Sequence, residues 1–354
     1  MQVRESTSFV SFVTPFYNTR GFLAECIESV LRQTYQNWEY VLVDNCSTDG
    51  SSEIAETYAA QCDRIRLART DRFLPQVQNY NFAISCISPN SRYWKLVQAD
   101  DWIFPDCVRS MVEVAEAHPR VGIVGAYALE GDRVTFRGIP YPIAEMTGRE
   151  VCRMRLLDQG KYVFGTPTSL LVRSELLKSR VPFYEERYAP NEDFYACFDL
   201  LRTWNFGFVH QVLTYSRQDE ESIWKRVLSL GALFQSNLGA LVTYGRDYLS
   251  EEEYNTRMKQ LEREYFLFLG QSVLKGRSQE FWKFHREGLA LFNYRLDWRL
   301  LSKWTSLAFF EYLANPKRTW DSFSAHRNKI SSLPSRTPLA GVLRIWSDSP
   351  GHPR

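Results

Sequence analysis

Short apolar runs alternate with segments of helical periodicity along the first 215 residues. Runs rich in β-branched and aromatic residues predict strands at residues 9–13, 39–43, 65–67, 93–97, 121–127 and 206–213. Apolar residues that recur three or four positions apart, together with capping residues, predict helices at 20–31, 54–58, 76–85 and 106–117. The first strand is predicted to stop at Thr14 and Pro15, because proline has no backbone N–H to donate.

This order of elements predicts an α/β fold with a Rossmann-like, mainly parallel sheet covered by helices on both faces. In such sheets, ligands bind beyond the carboxyl ends of the strands. The rule directs attention to the polar residues of segments 14–18, 44–48 and 98–102.

The pattern changes after residue 221. From Ser222 onward the apolar positions fit long amphipathic helices, and no motif of chemistry occurs among them. We therefore expect a catalytic domain at residues 1–221, followed by an α-helical C-terminal region at residues 222–354.

Composition narrows the class of protein only slightly. Of the 354 residues, 44% are hydrophobic and 24% are charged, which is typical of soluble globular proteins. A net charge of +2 does not indicate nucleic acid as a partner. The seven cysteines lack zinc-type spacing, and no run of about 18 uncharged apolar residues predicts a membrane span. We expect a cytoplasmic protein with reduced thiols.

Two carboxylates end the strand predicted at residues 93–97. Asp100 and Asp101 follow Gln98 and Ala99, and adjacent carboxylates repel each other unless a cation or hydrogen-bond donors compensate. Mg²⁺ and Mn²⁺ bind carboxylate oxygens together with phosphate oxygens of a substrate. Asp100 is therefore a candidate metal ligand.

Two other acidic positions allow two interpretations each. Asp44 ends the second predicted strand, where an aspartate forms a turn or contacts a ligand. Glu192 and Asp193 follow Asn191, and acids in the first turn of a helix are commonly stabilised by the helix dipole. The residues alone favour the turn and the cap.

Six segments, taken together, resemble family-two glycosyltransferases, the large inverting family with the GT-A fold that includes many enzymes of bacterial polysaccharide biosynthesis. They are VSFVTPFYN at 10–18, CIESVLRQTYQNW at 26–38, VLVDNCSTDG at 41–50, NYNFAI at 79–84, residues 93–106 and NEDF at 191–194. Their order and spacing match the family over roughly the first 215 residues, the span over which apolar and polar periodicity predicts an α/β sheet.

The resemblance implies a nucleotide-sugar donor, usually a UDP-sugar, bound by Thr14, Pro15, Tyr17, Asp44, Asn79, Asn81, Gln98 and Asp100. Within this set Asp44 would contact the base and Asp100 would bind Mn²⁺ or Mg²⁺. Gln98 stands where the family commonly has an aspartate near the ribose, and its amide retains hydrogen-bonding capacity without a charge. Asn45 and Cys46 replace a commoner Asp-Gly pair.

The resemblance also assigns the acceptor side. Asp193 would be the catalytic base, while Asp101, Trp102 and Glu192 would face the acceptor or the sugar. Asp219 lies where relatives often place a histidine, and it is either a further metal ligand or a loop acid. The implied reaction is an inverting transfer of a hexosyl or N-acetylhexosaminyl group to a saccharide or lipid-linked acceptor.

Two other functions are alternatives to a glycosyltransferase, and the C-terminal segment suggests one further partner. A nucleotidyltransferase would need a glycine-rich basic loop near the first strand, and residues 13–20 contain none. A non-catalytic nucleotide-sugar binder would retain Asp44 and Asp100.

Residues 315–354 contain seven Lys and Arg against two Asp, which fits an anionic membrane surface, a helical cap or a homo-oligomer contact.

Overall fold

The computed structural model describes residues 8–159, 163–217 and 230–314. The strands are β1 Val10–Phe16, β2 Trp38–Asp44, β3 Ile65–Arg69, β4 Tyr93–Leu96, β5 Trp102–Ile103, β6 Val121–Glu130, β7 Arg133–Thr135, β8 Glu145–Met146, β9 Leu171–Arg173 and β10 Asn205–Ser216. The first seven described helices are α1 Leu23–Leu31, α2 Ser51–Gln61, α3 Gln76–Ser85, α4 Cys107–Ala117, α5 Gly148–Leu156, α6 Leu176–Ser179 and α7 Glu192–Leu200. They are followed by α8 Ala232–Tyr248, α9 Glu251–Leu274, α10 Gln279–Ala290 and α11 Trp298–Ala314.

One mixed sheet contains all of the described strands, in the order β3-β2-β1-β4-β9-β6-β10-β5, with β7 beside β6 and β8 beside β10. Strands β3, β2, β1 and β4 are mutually parallel, and β6 is parallel to β10. The short strand β9 lies antiparallel between β4 and β6. The predicted α/β class and mainly parallel sheet are confirmed.

Strand β1 runs three residues further than the sequence predicts. Pro15 lies inside it, in register with Val43 of β2. The ladder with β4 ends at the pair of Val13 and Leu96, so β1 has a ladder partner on one side only where the proline occurs. A proline is tolerated there because no neighbouring carbonyl on the open side requires its missing N–H.

The core lies between this sheet and the helices that follow β1 and β4. Helix α1 buries Leu23, Ile27 and Val30, whose spacing puts them on one face of the helix. Phe12 and Trp38 meet edge to face, with ring centroids 5.8 Å apart. This packing holds the carboxyl ends of β1, β2 and β4 at one edge of the sheet.

An aromatic cluster connects α7 to α8. The rings of Phe198 and Tyr244 stack with centroids 5.1 Å apart, and the hydroxyl of Tyr244 donates to the carbonyl of Tyr195 at 3.3 Å. The hydroxyl of Tyr248 also donates to the carbonyl of Phe198. Helix α7, which begins with Glu192 and Asp193, is therefore anchored to α8 by a ring stack and two hydrogen bonds.

The chain divides into two compact units, residues 1–259 and 260–354. In the second unit the hydroxyl of Tyr265 and Nδ1 of His285 form a buried hydrogen bond of 2.6 Å. A Cβ on Gly270 would lie 2.8 Å from the backbone nitrogen of Thr305, so α9 and α11 cross in close contact there. The boundary predicted after residue 221 lies outside the described residues and stays a prediction.

None of the described helices is long and apolar enough to span a bilayer. The seven cysteines all lie in the described ranges and are free thiols.

Candidate active site

Strands β1, β2 and β4 end side by side at the edge of the sheet where the sequence predicts a ligand crevice. Two backbone hydrogen bonds hold these ends together: Asn45 N–H donates to the carbonyl of Phe16 at 2.9 Å, and Val97 N–H donates to the carbonyl of Val13 at 3.0 Å. The residues after each strand therefore emerge side by side.

Asp44 is buried at the end of β2 and closes the turn before α2. Its Oδ1 accepts from the backbone N–H of Ser47 at 2.9 Å, and its Oδ2 accepts from the hydroxyl of Ser52. Nε of Arg69 lies 3.9 Å from Oδ2. The turn-forming interpretation of Asp44 is thus correct, and its contact with a nucleotide base stays a prediction.

The three predicted donor-binding residues of β1 and its following loop differ in exposure. Thr14 is buried, and its hydroxyl lies 2.8 Å from both the carbonyl of Val97 and the hydroxyl of Tyr40. Pro15 is also buried, whereas the ring of Tyr17 is 45% exposed. Of the three side chains, Tyr17 is the one that lies open to solvent in the crevice.

Helix α3 carries Asn79 and Asn81, whose side chains differ in their hydrogen bonding. The Oδ1 atom of Asn79 is buried and accepts no hydrogen bond from the part of the chain that the structure describes. The amide of Asn81 instead pairs with the backbone of Tyr184, donating at 2.7 Å and accepting at 2.8 Å. Asn79 is therefore the better placed of the two for a ligand, and Asn81 fastens α3 to the segment before α7.

The adjacent carboxylates after β4 point to different environments. Asp100 is exposed, and Asp101 is buried. Asp101 Oδ2 accepts from the hydroxyls of Thr168 at 2.6 Å and Ser216 at 3.3 Å, and its Oδ1 accepts from the N–H of Arg217 at 3.2 Å. Burial, and then the charge of Asp100, raises the pKa of Asp101 to about 7. Three donors of the protein itself, from Thr168, Ser216 and Arg217, therefore surround the carboxylate of Asp101.

Arg217 brings a positive charge to the same place. Its Nε donates to the carbonyl of Asp100 at 3.2 Å, and its guanidinium forms an ion pair with Glu25 and lies over the ring of Phe22. Sequence reasoning missed this contact, because the two residues are 117 positions apart.

Trp102, predicted to face the acceptor or the sugar, packs within the sheet edge. Its ring stacks on that of Tyr215 with centroids 4.8 Å apart, and it meets Phe104 edge to face. The pairing of β5 with β10 accounts for the stack, because it puts Trp102 opposite Tyr215. The predicted acceptor contacts of Asp101 and Trp102 stay predictions.

Glu192 and Asp193 occupy the first turn of α7. Asn191 stands at the N-cap position, but its side chain makes no capping hydrogen bond, while Asp193 Oδ1 accepts from the N–H of Phe194 at 2.7 Å. Burial raises the pKa of Asp193 to about 6. Burial, and then the charge of Asp193, raises the pKa of Glu192 to about 8. A carboxylate with a pKa near neutrality suits proton transfer.

Tyr80 lies near both Asp100 and Glu192. Its buried hydroxyl accepts from Nε2 of Gln76 at 2.8 Å and from Nε2 of Gln98 at 3.1 Å. Burial raises its pKa most, and the charges of Glu192 and Asp100 raise it further. The ring centroid of Tyr80 also lies 6.1 Å from that of Tyr184, so α3 adjoins both the end of β4 and the segment before α7. Asp219, the second candidate metal ligand, lies outside the described residues.

Known proteins resemble the chain at the level of sequence and of fold. The family model described as Glycosyl transferase family 2 matches residues 11–180. Glycosyltransferase GlyG of Streptococcus pneumoniae is 27% identical over 231 residues, which cover 63% of this chain and 75% of GlyG.

Two solved structures share the fold at 16% identity. Residues 1–349 of TarS from S. aureus, in complex with UDP, give a TM-score of 0.57 with 80% of each chain covered. Mannosyltransferase PcManGT from Pyrobaculum calidifontis, in complex with GDP-Man and Mn²⁺, gives a TM-score of 0.54 with 90% of each chain covered. Residues 11–180 therefore form a glycosyl transferase family 2 domain, and the protein is a glycosyltransferase with the GT-A fold.

Proposed function

We propose that the protein is an inverting glycosyltransferase that moves a hexosyl or N-acetylhexosaminyl group from a UDP-sugar to a hydroxyl group of a saccharide or lipid-linked acceptor. The observation that carries the proposal is the position of Tyr80, whose hydroxyl accepts from Gln98 after β4 at 3.1 Å while its ring centroid lies 6.1 Å from that of Tyr184, in the segment before α7. A donor bound along the end of β4 and an acceptor bound at the start of α7 would meet in this crevice.

Asp193 is the proposed base. The acceptor oxygen bonds to the anomeric carbon as the bond from that carbon to the diphosphate oxygen breaks, and Asp193 takes the hydroxyl proton. The anomeric configuration inverts because attack and departure occur on opposite faces. General-base help of this kind is worth about 10²–10⁴ in rate. The raised pKa of Asp193, about 6, leaves it ionised at neutral pH yet basic enough to accept a proton.

A divalent metal fits the donor side of this arrangement. Within residues 8–159, 163–217 and 230–314, no group of three or more His, Cys, Asp or Glu side chains is arranged to hold a metal ion. One exposed carboxylate, that of Asp100, together with two diphosphate oxygens is a ligand set that Mg²⁺ or Mn²⁺ accepts. When bound, the metal would neutralise charge on the departing diphosphate.

The choice of UDP is supported by the fold neighbours. TarS has been crystallised with UDP and with UDP-GlcNAc, whereas PcManGT binds GDP-Man and Mn²⁺. Gln98 and Asp44 offer an amide and a carboxylate to the ribose and base of either nucleotide. The nucleotide is therefore tested directly, with UDP-, GDP- and other nucleotide sugars.

Incubation of the protein with a panel of nucleotide sugars and Mn²⁺ tests the proposal, with release of nucleoside diphosphate as the measurement. We expect release with at least one UDP-sugar, and we expect Asp193→Asn to lose it while still binding that donor. A non-catalytic sugar-nucleotide binder would bind donors without release. Release that is equal in the wild type and in Asp193→Asn would remove Asp193 from the mechanism.

The lipid-linked acceptor and a cytoplasmic membrane contact form a separate part of the proposal. Helix α11 exposes five large apolar side chains, Trp298, Leu307, Phe309, Phe310 and Leu313. Arg299 and Lys303 are also exposed on this helix, and the basic segment 315–354 follows it outside the described residues. Apolar side chains beside cations favour an anionic bilayer surface.

Vesicle flotation tests the membrane contact. We expect binding to vesicles of phosphatidylcholine with phosphatidylglycerol and less binding to phosphatidylcholine alone. Phe309→Ser with Phe310→Ser should reduce it, whereas Leu291→Ser, at another exposed apolar residue, should not. If light scattering shows a homodimer that the double variant disrupts and no vesicle binds, a second copy of the chain covers this face instead.

A further inference from the structure

A tight turn after β4 carries Asp100, the proposed metal ligand. The N–H of Asp101 donates to the carbonyl of Gln98 at 3.0 Å, which makes these two residues the ends of a four-residue turn. Ala99 and Asp100 lie between them. The backbone position of Asp100 is therefore set by how the two ends of the turn are held.

The hydroxyl of Thr168 ties the two ends of the turn to each other. Its oxygen accepts from the backbone N–H of Gln98 at 3.1 Å, and its proton is donated to Oδ2 of Asp101 at 2.6 Å. Thr168 is fully buried, so both hydrogen bonds are shielded from water. A hydroxyl can accept and donate at once, whereas a valine side chain of the same shape can do neither.

Thr168 is itself held in place by β4. It is the middle residue of the 3₁₀ turn Pro167–Ser169. Its carbonyl accepts from Nζ of Lys95, which also donates to the carbonyl of Leu170 at 3.1 Å. Lys95 lies in β4 and is fully buried. The segment that carries Thr168 is therefore fixed to the strand that leads into the turn.

Other groups hold one end of the turn each. The thiol of Cys26 donates to the carbonyl of Gln98 at 3.5 Å. At the other end, the hydroxyl of Ser216 and the N–H of Arg217 donate to the carboxylate of Asp101 at 3.3 and 3.2 Å. These contacts place each end against a neighbouring element, whereas the Thr168 hydroxyl sets the distance between the ends.

We propose that Thr168 is a positioning residue for the metal, because its hydroxyl holds the turn in the shape that presents Asp100 to an ion shared with the donor diphosphate. This inference rests on the proposed function, since it assumes a divalent metal at Asp100. Partners that orient a metal ligand without touching the metal commonly change metal affinity 10- to 100-fold when they are removed. Thr168 lies outside the six segments that carry the family resemblance.

Calorimetric titration with UDP, with and without Mn²⁺, tests the inference through the gain in affinity that the metal produces. Thr168→Val keeps the shape of the side chain and removes the hydroxyl, so it should reduce this gain about 10-fold or more and change metal-free UDP affinity much less. Thr168→Ser retains the hydroxyl and should restore most of the gain. Ser216→Ala removes another donor to Asp101 and should reduce the gain by less.

Ser11→Ala is the matched control. The buried hydroxyl of Ser11 donates to Oε1 of Glu39 at 2.5 Å, near the start of β1. Its loss should lower the midpoint of urea unfolding, as the loss of the Thr168 hydroxyl does, but it should leave the metal-dependent gain unchanged. The gain therefore separates a positioning role from a general contribution to stability.

Three outcomes would contradict the inference. An undiminished gain in Thr168→Val overturns it and leaves the proposed function standing; if that variant does not fold, an undiminished gain in Ser216→Ala does so. An equal reduction in Ser11→Ala and Thr168→Val also overturns it, because lost stability would then be the cause. If Mn²⁺ does not change UDP affinity in the wild type, the metal of the proposed function is wrong, and the inference fails with it.

Discussion

The side-chain amide of Asn81 forms two hydrogen bonds with the backbone of Tyr184, one donated at 2.7 Å and one accepted at 2.8 Å. Asn81 belongs to α3, which carries the proposed donor-binding residue Asn79, and Tyr184 precedes α7, which begins with Glu192 and Asp193. The distance between donor and proposed base therefore depends on this pair.

Asn81→Ala is expected to destabilise the fold and slow catalysis more than it weakens donor binding. The substitution leaves a buried N–H and a carbonyl of Tyr184 without their partner, at a cost of about 1–3 kcal/mol for each unsatisfied group. Urea unfolding and a comparison of kcat with donor Kd measure both effects. Asn90→Ala, at an exposed turn, serves as the control. An unchanged unfolding midpoint in Asn81→Ala would contradict the structural role.

Activity should rise with pH through about 6, because burial raises the pKa of Asp193 to about 6 and only the ionised form accepts a proton. Below that pH, kcat/KM should fall about tenfold per unit. Asp193→Asn should lose both the pH limb and about 10²–10⁴ of the rate. The measurement is a pH profile from 4.5 to 8.5 with a stability check at each end, and a limb that persists in the Asn variant would assign it to another group.

Glu192→Gln should stabilise the protein, and more so as pH rises from about 5 to 8. Burial raises the folded-state pKa of Glu192 to about 8 from its ordinary 4.5. Below pH 4.5 Glu192 is protonated in both the folded and the unfolded state, so its ionisation does not change the free energy of unfolding. Above pH 4.5 Glu192 ionises first in the unfolded state, which favours unfolding. Thermal unfolding at several pH values measures the difference, at about 2–4 °C per kcal/mol. Glu252→Gln, at an exposed site, should show no such trend.

Lys95→Met should cost stability, although methionine matches the lysine stem in size. The buried Nζ donates to the carbonyl of Leu170 at 3.1 Å and also to that of Thr168. Each carbonyl left unsatisfied costs about 1–3 kcal/mol. Because Thr168 also donates to Asp101, donor binding should weaken too. Chemical unfolding and calorimetry measure these losses, Lys303→Met is the exposed control, and a variant as stable as the wild type would contradict the prediction.

Asp100→Ala should abolish the dependence of donor affinity on Mn²⁺. The exposed carboxylate is the proposed protein ligand, and the diphosphate supplies the remaining oxygens. Titration of UDP with and without Mn²⁺ should show a metal-dependent gain in the wild type and in Glu25→Gln, and little or none in Asp100→Ala. An undiminished gain in the variant would place the metal elsewhere.

The sequence determined the order of strands and helices along the chain and the edge of the sheet where we expect ligands to bind. Apolar periodicity is enough to predict strands β1, β2 and β4 and helix α3, because each is one continuous segment of the chain. The positions of the motif residues, just after these strands, followed from the order of the elements along the chain. The sequence did not predict that β1 continues through Pro15, because this depends on how far β4 runs beside β1.

The tertiary structure decided the surroundings of each acidic side chain. Adjacent residues such as Asp100 and Asp101 are chemically alike in sequence, and only folding exposes the first and surrounds the second with donors from Thr168 and Ser216. The pairing of Asn81 with Tyr184 joins residues 103 positions apart. Burial and hydrogen bonding depend on such distant partners, so their effects on pKa and on ligand geometry are fixed only when the chain is folded.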